Sequence, residues 1–301
     1  MSFSRGKFME AKERKYIFVL NPIAGGRKKE QVPAQIDKFC DRAKCNFRIY
    51  KTTGHNDLNN LRKVFDIFAP DAVVAIGGDG TVNLVGNLLV YTNIPIGIIP
   101  LGSGNGLAKD LGLPMDLEAA FELIHRFESR YIDSLNINGT NCFHLSDLGY
   151  NARIVHRFAH GWLRGKMSYF WYGISEFLRF RSFPFELKTK IENHTGKAFM
   201  LIISNANKFG TNISVNPLGE IDDGWFEVSI FKPFPKFRVP YIGYHLLKSN
   251  IHQTPFYKVV RTRKAVIKNI SGEPLHIDGE PVSLAQEIQV EVMSKSLRVI
   301  M

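Results

Sequence analysis

The sequence predicts two domains of different class, an N-terminal open α/β domain and a C-terminal antiparallel β-sandwich domain. Up to residue 136, short apolar runs alternate with helical patterns, which favours a parallel sheet flanked by helices. Beyond it, alternating or β-branched runs are separated by turns, which is typical of antiparallel strands. A chain of 301 residues with 45% hydrophobic content can bury a core in each domain. We therefore predict domains at 1–136 and 137–293.

The elements follow from the spacing of apolar residues. A strand at 16–20 precedes a helix around 30–42, and a strand at 46–51 precedes a helix at 57–68. Residues 71–77 form a continuous apolar run, which indicates a buried central strand, and apolar residues at helical spacing predict a helix at 82–91. In the second domain we predict strands at 141–145, 186–192, 199–204, 225–231, 258–268 and 287–293.

The most informative motif is GGDGTVN at 77–83, where three glycines surround Asp79 between the central strand and the next helix. Such a turn binds phosphate, because glycine lets backbone N–H groups approach an anion and the helix N-terminus adds a partial positive charge. Asp79 would repel a bare phosphate, so a cation is expected to accompany the ligand, as in a nucleotide with magnesium. The alternative is that the glycines only form a tight connection.

Two further segments end in glycine turns, IFVLNPIAGG at 17–26 and IGIIPLGSGNG at 96–106. Each is a short apolar strand that leads into a polar, glycine-rich turn. The carboxyl ends of parallel strands meet at one edge of an open sheet, where α/β proteins bind their ligands. Three such turns within about a hundred residues favour a shared ligand site over three separate connections.

Together these motifs resemble the diacylglycerol kinase family of lipid kinases, which is related to sphingosine kinases and more distantly to NAD kinases. The resemblance rests on Asn21-Pro22 with GG at 25–26, on TT at 52–53, and on the motif at 77–83. It continues through GSGN at 102–105, DDGW at 222–225 and DGE at 278–280. The motifs occur in the family's order over nearly the whole chain. The resemblance also implies that 294–301 returns to the nucleotide-binding domain.

The resemblance implies phosphoryl transfer from ATP, with Mg²⁺, to a lipid hydroxyl. The lipid expected is diacylglycerol or a similar one, with a sphingoid base as an alternative because GSGN is the form similar to sphingosine kinases. Two more hypotheses stay open, an activity like that of NAD kinases and a non-catalytic lipid or nucleotide sensor. The residues expected to contact the nucleotide are Asn21, Pro22, Ile23, Ala24, Gly25, Thr52, Gly78, Asp79, Gly80, Thr81, Val82, Asn83 and Ser103.

Two acids flank Gly279 near the end of the chain, Asp278 and Glu280. In an extended segment both side chains would point to one face, where two acids can divide base and metal duties. By resemblance this motif holds the proton acceptor, with Glu280 favoured, Asp278 as the second candidate, and Asp79 as a third catalytic acid. The alternative is a β-turn, because Asp-Gly is a common turn pair.

The motif at 222–225 resembles a metal site of the bacterial lipid kinases. Asp223 would be the side-chain ligand, with backbone oxygens near Glu220 and Trp225, and magnesium prefers such oxygen ligands. The alternative is again a simple turn. The chain also lacks three acids that are common in the family, because Leu84, Gly106 and Asn151 stand in their places. The scattered histidines, which include His144 and His276, are expected to have no special role.

The charge balance favours a membrane surface as partner. With 39 Lys and Arg against 28 Asp and Glu, the formal charge is +11, which attracts polyanions. No nucleic-acid-binding signature is present, so anionic phospholipid is preferred. Residues 158–188 mix aromatic and basic side chains, as in helices at a membrane interface, and the alternative is a helical hairpin whose aromatics form ordinary core.

No stretch is long and apolar enough to span a bilayer, and the charged start lacks a signal-peptide core. We therefore expect a cytoplasmic protein that associates peripherally with the inner face of the membrane. The cysteines, Cys40, Cys45 and Cys142, are read as reduced thiols. A homodimer is a further expectation.

Overall fold

The computed structural model describes residues 13–24, 30–160, 166–179, 181–205, 208–209, 213–214 and 219–301. Its elements are, in chain order, β1 (Lys15–Leu20), α1 (Val32–Ala43), β2 (Asn46–Lys51), α2 (Asp57–Phe68), β3 (Ala72–Gly77), α3 (Asp79–Leu89), β4 (Ile96–Pro100), α4 (Gly106–Asp110), α5 (Leu117–Arg126), β5 (Ser129–Ile137), β6 (Thr140–Cys142), β7 (Leu145–Gly149), α6 (Tyr150–His160), α7 (Lys166–Arg179), β8 (Phe183–Thr189), β9 (Asn193–Ala198), β10 (Met200–Ser204), β11 (Lys208–Phe209), β12 (Ile213–Ser214), β13 (Phe226–Phe231), α8 (Val239–Leu247), β14 (Tyr257–Thr262), β15 (Lys264–Asn269), β16 (Leu275–Ile277), β17 (Glu280–Val282) and β18 (Glu287–Ile300). Two 3₁₀ turns, Lys236–Arg238 and Ile251–Gln253, flank α8. The predicted fold class, an α/β domain with a parallel sheet and an antiparallel sandwich, is confirmed.

The N-terminal sheet has the strand order β2-β1-β3-β4, and all of its pairs are parallel. Strands β1, β3 and β4 are apolar and almost fully buried because helices cover both faces. One face packs against α1 and α5, and the other packs against α2 and α3. The strand order reverses between β1 and β3, which is where open α/β sheets bind ligands.

Strand β18 runs through both domains. Its last residues pair in parallel with β4, through Val299 and Ile96, and it pairs antiparallel with β5 along most of its length. The register shifts between Met293 and Leu297, where the buried Asp133 carboxylate accepts the backbone N–H groups of Gly224 and Lys295, each at 2.6 Å. The two domains are thus joined by a continuous sheet rather than by a linker.

The C-terminal domain is a sandwich of two sheets over one apolar core. The first sheet continues from β18 and β5 to β15, β8 and β9, and the second has the order β14-β13-β10-β7-β16-β17. The single strand predicted at 258–268 is wrong, because β14 and β15 belong to different sheets. The chain turns between them at Arg263, where the Thr262 hydroxyl donates to the Lys264 carbonyl at 2.9 Å.

The aromatic and basic segment at 158–188 divides between a helical hairpin and a strand. Helices α6 and α7 pack against each other, whereas Phe183 and Phe185 lie in β8 and belong to the sandwich core. The outer side of α7 leaves Trp171, Ile174 and Leu178 exposed. The segment thus contains both core and surface aromatics, while residues 161–165 and 180 lie outside the described residues. Within the described part of the chain, no helix has the length and apolarity needed to cross a bilayer.

Candidate active site

The candidate site lies where the four parallel strands of the N-terminal sheet end. The loops after β1, β2, β3 and β4 contain the residues 21–24, 52–54, 78 and 101–105, and α3 starts directly behind the third loop. These loops and the first residues of α3, 79–83, hold the residues expected to contact a nucleotide, apart from Gly25, which lies outside the described residues. Backbone N–H groups at the start of a helix have no partner within the helix, so the α3 N-terminus can receive an anion.

The first loop is a tight turn that its own asparagine closes. The Ile23 N–H group donates to Asn21 Oδ1 at 3.0 Å, and the Ala24 N–H group donates to the Asn21 carbonyl at 3.2 Å. The Asn21 N–H group remains in the sheet through the Ile76 carbonyl, at 3.1 Å. The turn is therefore fixed beside the end of β3, next to the glycine motif.

The second loop is held in place by Asp57, the first residue of α2. Its carboxylate accepts hydrogen bonds from the backbone of Thr53 and Gly54 and from the hydroxyls of Thr53 and Tyr50. Burial opposes ionisation of this carboxyl, but the four donors outweigh that effect and lower the pKa of Asp57. Thr52 donates its N–H group to the Leu20 carbonyl at 3.0 Å, which places this threonine beside the β1 turn.

The third and fourth loops approach each other through glycines. A Cβ atom built on Gly102 would lie 2.4 Å from the Gly78 Cα atom, so Gly102 cannot carry a side chain, and one built on Gly78 would lie a tight 3.1 Å from the Gly102 Cα atom. Asn105 closes the fourth loop by exchanging two hydrogen bonds with the Gly102 backbone, at 2.8 and 2.9 Å. Ser103 is exposed at the tip of this loop. The glycines thus let the backbones of the two loops, here called the cradle, pack closely together at the sheet edge.

Asp79 connects this cradle to α4. Its Oδ1 atom accepts the Gly106 N–H group at 2.6 Å. A Cβ atom on Gly104 would lie 2.6 Å from Asp79 Oδ2, so a glycine is needed to let the carboxylate approach this loop. Asp79 is only partly buried and begins α3, so it stands at the edge of the cradle.

The DGE motif forms the turn of a hairpin rather than an extended segment. Asp278 and Gly279 join β16 to β17 and have positive φ angles of 49° and 85°, as in the two-residue turns that Asp-Gly favours. The expectation that Asp278 and Glu280 lie two apart on one extended face is therefore wrong. The backbone forms the β-turn that was the alternative interpretation. The role of this turn in the site depends on the contacts of its two carboxylates.

The Asp278 carboxylate is saturated with hydrogen bonds. Its Oδ2 atom accepts from Asn83 Nδ2 and from the Phe143 N–H group, both at 2.9 Å. Its Oδ1 atom accepts from the N–H groups of His144 and Leu145, at 2.9 and 3.2 Å, and from the Cys142 thiol at 3.3 Å. Burial and the nearby charge of Asp278 raise the pKa of Cys142, which keeps this thiol protonated as a donor.

This arrangement also explains why residues 141–145 do not form one strand as predicted. Strand β6 ends at Cys142 and β7 begins at Leu145, because the intervening backbone curves around the Asp278 carboxylate. The same carboxylate connects this curve to α3 through Asn83. Asp278 therefore fastens the glycine motif to the sandwich domain.

Glu280 is in a different environment. It is exposed at the start of β17, and among the described residues its carboxylate has no hydrogen-bond partner. Its Oε1 atom would lie 3.8 Å from a Cβ atom built on Gly80, so the carboxylate lies beside the glycine motif. Of the two acids in the hairpin, only Glu280 has oxygen atoms that can accept a proton without breaking existing contacts.

His144 is a site residue that the sequence analysis missed. Its Nε2 atom pairs with Asp110 Oδ2 at 2.9 Å, and both side chains are nearly buried. Burial is the largest single influence and lowers the pKa of His144, but the hydrogen bond and charge of Asp110, with the charges of Asp278 and Asp79, outweigh it and raise that pKa. A Cβ atom on Gly106 would lie 2.5 Å from the imidazole ring, which explains why a glycine replaces the family's acid.

A second buried histidine supports the hairpin from behind. His276 Nδ1 accepts the Gly279 N–H group at 3.2 Å, so Nε2 carries the proton that is donated to Asp147 Oδ2 at 2.6 Å. Asn151 Nδ2 also donates to Asp147 Oδ2, at 2.5 Å. Asn151, which stands where the family has an acid, therefore belongs to the hydrogen-bond network that fixes the turn. His276 belongs to it too, although the sequence analysis expected no special role for this histidine.

In the structure, the side chain predicted to bind a metal at 220–225, that of Asp223, is engaged in contacts with other protein groups. Asp223 Oδ2 forms an ion pair with Arg261, and its Oδ1 atom accepts the Trp225 N–H group at 2.9 Å. The Arg261 Nε atom also lies 3.2 Å from Glu227 Oε1, while Glu220 is exposed. Among the described residues, no three His, Cys, Asp or Glu side chains are grouped so that they could hold a metal. A guanidinium group supplies the positive charge beside Asp223.

Comparisons with known proteins agree with the geometry. The family of the diacylglycerol kinase catalytic domain matches residues 15–137, and the YegS C-terminal NAD kinase beta sandwich-like domain matches residues 146–301.

Leu84, at the remaining position where the chain lacks a common acid, packs against the apolar core of the first domain.

The relatives of this chain that follow are distant in sequence, with identities of 24% to 27%. The chain is 26% identical over 219 residues to the diacylglycerol kinase of Bacillus subtilis, covering 71% of this chain and 72% of that protein. It is 24% identical over 236 residues to a probable lipid kinase YegS-like protein of Shewanella frigidimarina, covering 76% of each. For an uncharacterized protein of Synechocystis, sll0036, the identity is 27% and the match covers 54% of that protein.

The fold is similar to that of solved structures over the full chain. The crystal structure of a diacylglycerol kinase from Bacillus anthracis superimposes with a TM-score of 0.73 and 20% identity, covering 97% of this chain and 98% of that one. At this identity the likeness concerns the fold alone.

Proposed function

Because this chain belongs to the diacylglycerol kinase family of lipid kinases, we propose that it transfers the γ-phosphoryl group of ATP to the hydroxyl of diacylglycerol or a similar lipid with one free hydroxyl. The observation that carries this proposal is the position of the DGE hairpin, which brings Glu280 opposite the glycine motif while Asp278 holds the two together. A phosphate cradle and a proton acceptor on facing elements are the two parts that such a transfer needs.

In this proposal the triphosphate lies against the backbone of 78–83, with 21–24, Thr52 and Ser103 along its sides. The close packing of Gly78 against Gly102 supports this, because two loops that carry no side chain at this point can present backbone N–H groups to an anion. Magnesium bound with the nucleotide would neutralise charge on the phosphate oxygens. Asp79 stands at the edge of the cradle, and against the opposing effect of burial its charge, with the charges of Asp110 and Asp278, raises the pKa of His144.

The proton of the lipid hydroxyl is taken by Glu280 as the hydroxyl oxygen attacks the γ-phosphorus and ADP leaves. Glu280 suits this role because its carboxylate is exposed and its oxygens are uncommitted within the described residues. Asp278 does not, because protonation would remove an acceptor from at least two donors. We propose Asp278 as the positioning residue and Glu280 as the catalytic base.

A sphingoid base is the second candidate substrate, and the GSGN form of the fourth loop favours it. We also propose that the enzyme meets its lipid at the surface of a membrane that contains anionic phospholipid, because the chain carries a formal charge of +11. The experiment is radiolabelled ATP with a panel of diacylglycerol, monoacylglycerol, sphingoid base and NAD. Labelled lipid supports the proposal, whereas labelled dinucleotide alone or no product contradicts it.

A further inference from the structure

One side of the sandwich domain exposes large apolar side chains on two neighbouring helices. Trp171 and Leu178 on α7 are 62% and 63% exposed, and Phe237 and Leu247, before and in α8, are 76% and 79% exposed. We propose that α7, the 3₁₀ turn Lys236–Arg238 and α8 together form a surface, here called the docking surface, that binds an anionic bilayer. This inference rests on the proposed function, since it says how the kinase reaches lipid.

The parts of the docking surface are physically joined. Lys236 Nζ donates to the Leu178 carbonyl at 2.5 Å, so the end of α7 touches the turn that leads into α8. Beneath them, the Phe199 ring contacts both Phe177 of α7 and Phe234 of the segment before α8, at centroid distances of 6.1 and 5.1 Å. A shared aromatic layer therefore supports both helices as one platform.

The apolar side chains also point to common faces of their helices. Trp171, Ile174 and Leu178 are spaced by three and four residues, which places them on one stripe of α7. Tyr244 and Leu247 are likewise one turn apart in α8, while Ile242 on the same helix packs inward. Rings and aliphatic chains on the outer faces of surface helices suit insertion at headgroup level.

The charge of the docking surface has one sign. Residues 232–250 contain no Asp or Glu, and their four Lys or Arg side chains are all exposed, namely Lys232, Lys236, Arg238 and Lys248. Arg179 and Arg181 add two exposed cations at the end of α7, and the acid of this helix, Glu176, is buried in an ion pair with Arg157 at 2.7 Å. Cations surrounding apolar side chains complement an anionic bilayer.

This charge pattern decides between a bilayer and a second copy of the chain. In a two-fold dimer the same surface would face itself, so its cations would meet cations without an acid to pair with them. By contrast, the exposed Ile67 stands beside Asp66 on α2, away from the exposed apolar side chains of the docking surface.

The docking surface is also linked to the catalytic hairpin. Helix α7 packs on α6, and α6 packs on β17, the strand that Glu280 begins. A bilayer bound to α7 and α8 would thus lie on the domain that carries the proton acceptor. The lipid hydroxyl then reaches the site from the side of this domain.

The test measures vesicle binding without ATP, so that it does not depend on turnover. Wild type is compared with Phe237→Ser combined with Leu247→Ser, and the matched control is Ile67→Ser combined with Leu284→Ser, which removes equally exposed apolar side chains elsewhere. The probes are vesicles of phosphatidylcholine alone and of phosphatidylcholine with phosphatidylglycerol. We expect wild type and the control to bind the anionic vesicles, and the docking variant to bind them at least tenfold more weakly.

A charge variant, Arg238→Glu with Lys248→Glu, keeps the proposal testable if the apolar variant fails to fold. Each cation near an anionic surface contributes about a fivefold gain in affinity, so we expect the variant to bind anionic vesicles at least about twenty-five-fold more weakly than wild type. At high salt this difference between the two proteins should disappear, because salt screens the attraction. Unchanged vesicle binding in a folded variant overturns the proposal. So does sedimentation showing that wild type is a dimer which the docking variant dissociates. A wild type that binds vesicles but phosphorylates no lipid would instead contradict the proposed function alone.

Discussion

The structure makes the two acids of the DGE hairpin unequal, and this can be tested by replacing each one. Glu280→Gln removes a proton acceptor that has no hydrogen bond within the described residues, so the fold should not change. General bases contribute about a hundredfold to ten-thousandfold, and we expect turnover to fall by that factor. ATP affinity should stay near wild type, because in the proposed site the nucleotide is held by backbone N–H groups of the glycine loops and not by Glu280.

Asp278→Asn should act mainly on stability. An asparagine keeps one carbonyl oxygen, so an NH₂ group would face either two donors at the Oδ2 position or three at the Oδ1 position. Leaving a buried donor unpaired costs about 1–3 kcal/mol, and two donors give about 2–6 kcal/mol of lost unfolding free energy. Turnover should fall too, because Asn83 and the hairpin would no longer be held together.

The assays are turnover on lipid in mixed micelles, ATP binding by calorimetry, and unfolding in denaturant. Glu287→Gln and Asp66→Asn are matched controls on exposed acids of β18 and α2, and both should resemble wild type in all three measurements. The reasoning is refuted if Glu280→Gln keeps near-normal turnover while Asp278→Asn is as stable as wild type and inactive. That result would make Asp278 the base.

Three further predictions concern the neighbouring charges. Asp79→Asn should abolish phosphoryl transfer and leave the melting temperature unchanged, and normal turnover with magnesium-ATP would contradict the role of the glycine motif. Chelators should not lower the melting temperature of wild type, whereas Arg261→Ala should lower it, because Arg261 neutralises Asp223 and the buried Glu227; a chelator-sensitive wild type would indicate a metal there. His144→Gln should lower the free energy of unfolding most in acid. The pKa of His144 is raised in the folded state above the ordinary value of 6.5, so the stability that the charged imidazole contributes is complete below about pH 6.5 and declines as pH rises through the folded pKa. A stability difference between wild type and His144→Gln that grows with pH would show that the imidazole is not held in its charged form.

The parts of the site that were predictable are local in sequence. The motif at 77–83 follows a continuous apolar run, and both the buried strand and the glycine turn at its end can be read from neighbouring residues. The same holds for the turn at Asn21, which its own side chain closes within two residues. The class of both domains followed from the same kind of local pattern.

The parts that were missed depend on contacts between distant residues. Asn83 and Asp278 are 195 positions apart, so the role of Asp278 as a fastening between two domains leaves no signal in either motif. His144 has no metal-ligand spacing, and its importance comes from Asp110 and from the space that Gly106 leaves for its ring. The ion pair between Asp223 and Arg261 joins residues 38 positions apart, so the motif at 222–225 gives no sign of it.

The measurement that tests the central claim most directly is transfer of radiolabelled phosphate from ATP to lipid by wild type and by Glu280→Gln, side by side. The account predicts labelled phosphorylated lipid with wild type, loss of at least about a hundredfold in turnover with the variant, and equal ATP binding by both proteins. Equal labelling of lipid by the two proteins would contradict the assignment of Glu280 as the base. Absence of labelled lipid with wild type, across the whole lipid panel, would contradict the proposed function itself.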